Sequence, residues 1–392
     1  MPEIPDQALG PDASSDGGAA GMTRQQLAEA RQYGRQTLVC DLADRLLDVA
    51  YLAIFALVLA RPVDQWLGGF APLAAPAPRL AAVFALVTLL HAVVSFPLSW
   101  YSGHVLEQRY GLSRQSFGRW LWRYAKRNGL ALALGLVLTQ GLFWVIWLSG
   151  AAWWLWAAAG FFLVGVVLGQ LAPVVILPLF YRVERLDDPR LAERLTRLAE
   201  GTGLSLEGVY RLELSAETAK ANAMLAGLGR TRRVILGDTL LDHFSPDEIE
   251  VVFAHEVGHH VHRHMPKLML AGLGFSTLAF WACDRAVGLW LAREVGAWSY
   301  GALPVFTLPL LMLAITLFSL LLEPAQNALS RRFERQADRY AVQRTGMAAA
   351  FRSALQKLAR RNKADPHPHP LEVLLFHSHP PIAERLAQVE RA

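Results

Sequence analysis

The sequence predicts a mainly α-helical protein that crosses a membrane several times and carries a small α/β block outside it, on three observations. Hydrophobic residues make up 53% of the 392 positions and charged residues only 18%, with a mean hydropathy of +0.27, too apolar for an ordinary soluble chain of this length. Six runs, 46–66, 79–98, 129–149, 152–177, 267–291 and 301–322, carry almost no charge, and each approaches the ~20 residues that span a hydrocarbon core as a helix. Polar stretches between and after these runs alternate helical and strand patterns.

The opening "MPEIPDQALGPDASSDGGAAG" lacks an apolar core, so residues 1–40 are expected to form a polar, disordered tail and not a cleaved signal peptide. Spans one to four fall within 41–181, with a basic loop near 99–128 that holds Arg109, Arg114, Arg119, Arg123, Lys126 and Arg127. Lys and Arg are also frequent in 182–233 and after Arg331 but sparse in 61–78, 149–152 and 292–300. Positive-inside topology then places both termini and both polar blocks on the cytoplasmic side. Basic loops facing anionic lipid account for the net charge of +5, so no nucleic-acid partner is expected. Cys40 and Cys283 are placed neither for a disulfide nor for metal ligation.

The block at 182–265 reads as α/β: an amphipathic helix over 188–201, strands in "VYRLEL" (209–214) and "RRVILGDTLL" (232–241), then a helix begun by Ser245-Pro246-Asp247-Glu248, an S-x-x-E capping box with proline in the first turn. Spans five and six occupy 266–323. The block at 324–392 continues a helix begun at 323 as far as Gly346, followed by a helix over 347–362, a "DPHPHP" loop and a last helix from about 381.

The capped helix carries the chemistry. "VVFAHEVGHHVHRH" (251–264) holds five of the 12 histidines. His255 and His259 stand one turn apart on one face, the spacing with which two imidazoles grip one zinc ion, and the adjacent Glu256 is placed as general base: the H-E-x-x-H pattern. His260, His262 and His264 read as supporting or solvated residues. Downstream, "SRRFERQADRY" sets Glu334 and Asp338 on one helix face, with Ala337 small enough for close packing. Glu334 would complete a His₂Glu set, and Asp338 would accept the spare ring N–H of a ligand histidine. The alternative is a salt-bridged surface using Arg331, Arg332, Arg335 and Arg339, and spacing alone does not separate the two.

"AHEVGHH" and "RRFERQADRYA", with "RYGLSRQSFGRW" (109–120), "LPLFYRVERL" (177–186), "ANAMLAGLGRTRRVILGDTLL" (221–241) and "FHSHPPIAERL" (376–386), resemble the integral-membrane type I CAAX prenyl protease family over most of the chain. The resemblance implies a gluzincin-like zinc metallopeptidase with one Zn²⁺ per chain, His255, His259 and Glu334 as ligands, Glu256 as base, and a barrel of membrane helices around a chamber. It also implies that His379 in "HSHPP" faces the scissile bond and that Asn222 belongs to a strand edge pairing with extended substrate. His367 and His369 read as loop residues. Eukaryotic-type members have one span more than the six counted here.

The expected activity is hydrolysis of peptide bonds in membrane-associated or CAAX-like substrates, with peptide or protein substrate and the lipid bilayer as partners. Gln140 and Gln170 within spans, and Pro97, Pro173, Pro178, Pro304 and Pro309, fit bent helices around a hydrated interior, or hydrogen bonding between helices. A composition rich in Ala, Leu, Arg and Trp points to a bacterial inner membrane with the active site facing the cytoplasm. The rivals are a quality-control protease for misfolded membrane proteins without prenyl specificity, and a non-catalytic membrane protein with structural zinc. An open fourth metal position argues against the second.

Overall fold

The computed structural model describes residues 19–227 and 232–390. Its first apolar arms are α1 (Arg24–Gly68), α2 (Pro76–Arg109), α3 (Phe117–Ser149) and α4 (Trp153–Leu171). A sheet of β1 (Val183–Arg185), β2 (Leu206–Leu212), β3 (Ala223–Ala226) and β4 (Arg232–Gly237) follows, with α5 (Pro189–Ala199) after β1. Then come α6 (Pro246–Val261), the long helices α7 (His264–Glu294) and α8 (Leu308–Thr345), and the closing helices α9 (Ala348–Asn362), α10 (Pro370–Phe376) and α11 (Ile382–Val389).

Among the described residues, five helices are long and apolar enough to cross a membrane. One of them, Phe117–Phe180, is broken at Gly150, whose φ of 58° and ψ of −135° are open only to glycine. Its two parts, α3 and α4, pack against each other, so four unbroken helices and one broken helix supply six apolar arms. Their inner faces form one core around Phe55, Leu80, Phe143, Ile146, Cys283 and Leu311. Their outer faces leave large apolar side chains uncovered, among them Leu148 at 79% and Leu321 at 71% exposure, as a lipid-facing surface requires. Pro97 lies just before a π-helical turn at Tyr101–Leu106, and Pro173 lies inside another at Ala172–Ile176, where the missing N–H loosens the ladder. Gln140 donates to the Ala77 carbonyl at 2.8 Å, a bond between helices.

The sheet runs β1-β2-β4-β3. β2 is parallel to β4, and the two outer strands are antiparallel to their neighbours. It packs with α5, α6 and α9 around a second core that includes Leu195, Leu236, Phe253, Val257 and Phe351. The capping box forms as the sequence predicts: Ser245 Oγ accepts from the Glu248 amide and Glu248 Oε2 from the Ser245 amide. Glu248 is also held by Lys357 and Ser353, both at 2.6 Å. Burial resists its charge, but these bonds outweigh burial and hold its pKa below the usual carboxylate range.

Two boundaries differ from expectation. Residues 24–40 are not a disordered tail but the start of α1, whose Thr23–Gln26 capping box is complete; the rest of that expected tail up to residue 18 lies outside the described residues. This segment is polar because it packs on the C-terminal block and not on lipid: Lys363 Nζ reaches Glu29 at 2.6 Å, and Cys40 is buried with Leu106 and Leu112. The run 301–322 and the helix expected to follow it are one helix, α8, preceded by 3₁₀ turns at Tyr300–Ala302 and Val305–Thr307. No break separates membrane span from C-terminal block.

Candidate metal centre

The centre forms where α6 crosses α8. Gly258 makes the close approach possible: a Cβ there would lie 3.1 Å from Ala337 Cα and 3.2 Å from its carbonyl oxygen. With Ala337 fully buried opposite, the two small residues bring His255 and His259 against Glu334.

The donor atoms of the three residues converge, each histidine nitrogen meeting a different oxygen of Glu334. The Nε2 atoms of His255 and His259 are 3.1 Å apart, His255 Nε2 is 3.2 Å from Glu334 Oε2, and His259 Nε2 is 3.3 Å from Glu334 Oε1. Bonds of ~2.0–2.1 Å in tetrahedral geometry require ligand–ligand edges of about 3.3–3.4 Å; each histidine nitrogen stands at about that separation from a Glu334 oxygen, and one donor from each residue fits within 4.8 Å. Glu334 Oε2 is buried without a well-aligned hydrogen bond, an arrangement that favours a cation beside it. Two neutral imidazoles and a carboxylate fit a divalent ion of this size.

Behind His255, Asp338 Oδ1 lies 2.8 Å from Nδ1, the contact expected from the spacing of Glu334 and Asp338. Burial opposes a positive charge on His255, yet Asp338 and Glu334 outweigh it and push its pKa up to about 10. The expected arginines do not pair with these acids. Arg331 donates to the carbonyls of Val373 and His377, and Arg335 pairs with Glu384. The actual partner is Arg385 on α11, whose Nε and Nη2 fork onto Asp338 at 2.8 and 2.6 Å. Sequence reasoning missed Arg385, although it stands within "PPIAERL".

Glu256 and Asn222 line a cavity of about 260 Å³ together with His255, Glu334 and His379. His379, on the loop between α10 and α11, keeps a 63% exposed side chain, and its Nδ1 is 2.8 Å from Glu334 Oε2. Asn222 precedes β3, and its carbonyl accepts from the Gly237 amide at 2.9 Å. β3, like β1 at the other side, is an edge strand, so its outer side faces no further strand among the described residues. Of the other histidines, His260 contacts Arg232, His262 stacks on His264, and His369 caps α10, while His264 lies against His259.

The site cavity shares His379 and Arg385 with a second of about 500 Å³. That one shares Asp41 with a third of about 690 Å³, lined by Asp44, Ser102, Arg123 and Arg127 from three membrane arms. Polar side chains thus line space from the metal centre into the membrane half.

Comparison with known proteins identifies the family and the fold. The profile of peptidase family M48 covers residues 185–392, and the one described as "CAAX prenyl protease N-terminal, five membrane helices" covers 17–182; α1 to α4 supply four apolar arms in that stretch. CAAX prenyl protease 1 of Saccharomyces cerevisiae is 30% identical over 324 residues, 78% of this chain and 70% of the yeast protein. The uncharacterized metalloprotease YhfN of Bacillus subtilis is 26% identical over 99% of this chain and 90% of its own length. The crystal structure of S. mikatae Ste24p shares the fold with a TM-score of 0.79 at 23% identity, over 94% of this chain and 89% of that one. A family match over more than half the chain, on a helix crossing that sets two histidines and a glutamate around one point, makes this protein a membrane-embedded metalloprotease of peptidase family M48.

Proposed function

We propose that the chain is a zinc endopeptidase of the cytoplasmic face of a bacterial inner membrane, cleaving peptide bonds in membrane-associated or CAAX-like substrates. His255, His259 and Glu334 hold the metal, and the observation that carries the reading is their convergence, with the two Nε2 atoms 3.1 Å apart and each 3.2 to 3.3 Å from a Glu334 oxygen. A zinc ion held there would supply Lewis-acid chemistry, polarising the scissile carbonyl and acidifying the attacking water toward a pKa of ~7. Glu256, next to His255 and lining the same cavity, takes the water proton and delivers it to the leaving amine. His379, beside Glu334 at the mouth of the site, donates to the oxyanion that develops on the carbonyl. Asn222 and the free edge of β3 hold the substrate backbone in extended form. Asp338 keeps the His255 proton on Nδ1 so that Nε2 faces the metal.

Prenylated CAAX sequences are proposed from the names of the eukaryotic relatives. The Bacillus relative, which aligns along almost the whole chain and is named only as a metalloprotease, favours a second reading: clearance of misfolded membrane proteins with no prenyl requirement. Proteomics of membranes containing wild-type protein or Glu256→Gln tests both. Substrates should accumulate only with the variant, and whether they carry a prenylated cysteine decides between the two. No difference between the membranes would refute the catalytic assignment.

A further inference from the structure

His255 is oriented by Asp338, but His259 has no carboxylate behind its Nδ1 among the described residues. The atom there, 3.1 Å away, is Nδ1 of His264. His264 Nε2 in turn lies 2.9 Å from Gln336 Oε1. We propose that His264 and Gln336 act as positioning residues that fix the tautomer of His259, a neutral counterpart to the Asp338 support behind His255.

The assignment follows from proton counting and rests on the metal-centre reading. For His259 to offer the Nε2 lone pair to a metal, its single proton must sit on Nδ1. That proton points at His264 Nδ1, which must therefore accept and carry its own proton on Nε2. The His264 Nε2–H then meets Gln336 Oε1, an oxygen that can only accept. Each donor faces an acceptor in this order. The reverse order would put a proton on His259 Nε2, where it would block the metal.

The surroundings hold the relay in place. His264 is 1% exposed and lies parallel to the Phe333 ring, with centroids 4.4 Å apart and planes at 10°. Phe333 and Gln336 flank Glu334 on α8, so the helix that supplies the carboxylate ligand also clamps the relay. Arg263, left-handed at φ 53°, lies between α6 and α7 and lets the first residue of α7 fold back toward His259. The local sequence places His264 on the far side of α6; the reversal at Arg263 brings it round.

The test uses full-length protein in detergent and reads zinc affinity by competition with a chromogenic chelator, alongside the visible spectrum of the Co²⁺ form. His264→Phe keeps the stacking but removes the acceptor, and should weaken zinc binding about 10–100-fold, the range for residues that orient a metal ligand. His264→Asn places Oδ1 where Nδ1 stood and should restore affinity and the wild-type Co²⁺ spectrum. Gln336→Leu, more remote from the metal, should give a smaller loss and serves if the Phe variant fails to fold. Wild-type affinity in His264→Phe, equal losses in the Phe and Asn variants, or no change in Gln336→Leu would each overturn the proposal. Glu256→Gln in the same assay should bind zinc as wild type does. If it also hydrolyses normally, the catalytic reading fails, while the zinc affinities of the 264 and 336 variants still decide whether the relay orients His259.

Discussion

The membrane half and the α/β half are held together in different ways. Around Phe143 and Leu311 the membrane arms pack apolar side chains on apolar side chains, with Asp284, held by Trp153 and Tyr300, as a buried carboxylate among them, and their outward faces are as greasy as their inward ones. Around α6 and α8 the core is threaded by charge: Glu334, Asp338, Glu248 and His255 are all buried, each with polar partners. Lipid supplies no hydrophobic drive between helices, so the first half depends on shape. The second depends on completeness, because a buried charge left alone costs far more than a lost methyl group. Mutations should therefore be graded in one half and abrupt in the other.

The comparison breaks first if the two halves do not lie where the charge pattern puts them. In a cysteine-free background, cysteine at Arg197 should react with an impermeant thiol reagent only after cells are permeabilised. Cysteine at Val295, in the turn between α7 and α8, should label from outside. Labelling of both from the same side would place that turn and the α/β half together and remove the topology.

Next in size is the chemistry. Glu256→Gln should lower turnover by about 10²–10⁴-fold with zinc retained, and Glu334→Ala should lose most of the zinc by elemental analysis. Asp338→Asn should weaken zinc binding by about 10–100-fold. Arg385→Ala strips a forked partner from a buried carboxylate and should cost about 3–5 kcal/mol, read as a lower melting temperature.

Acidity sharpens the contrast further. The pKa of His255 is raised from 6.5 to about 10 by its two carboxylates against the opposition of burial. In metal-free protein its contribution to stability is fully present below pH 6.5 and lost as pH rises toward 10. Zinc must displace that proton, so zinc affinity should climb across the same window. A flat affinity between pH 6.5 and 8 would show that His255 is neutral in the metal-free protein.

Packing gives effects graded by burial, down to the smallest of all. Gly258→Ala presses a methyl group against Ala337 and should cost about 1–3 kcal/mol, with weaker zinc binding as α6 and α8 part. Leu311→Ala, at a 2% exposed site, should cost about 2–5 kcal/mol. Leu148→Ala, 79% exposed, should stay within about 0.5 kcal/mol.

What could be read in advance was what lies close together along the chain. The cap at Ser245, the one-turn spacing of His255 and His259, and the one-turn spacing of Glu334 and Asp338 are all local, and each has the predicted geometry. Arg385 lies 47 residues from Asp338, and Gln336 lies 72 from His264; no periodicity links them, and only the fold brings them together. The strand β1 is three residues long, too short for alternation to register. The first turns of α1 escape a compositional reading for a related reason: their polar surface faces another part of the same chain, and composition alone cannot tell that from water.

Because α8 runs without a break from its apolar stretch to Glu334, that carboxylate stands at a set distance from the end of the apolar run. Glu334 follows Glu323, the first charge after the apolar run, by eleven positions, which at 1.5 Å per residue is about 16 Å. The helix is a ruler with one end in lipid. On the proposed reading of Glu334 as a metal ligand, a polypeptide tethered to the membrane would present a different bond to the site for each length of tether, and the distance from anchor to cut would be set by the backbone of α8 before any side chain of the substrate is recognised.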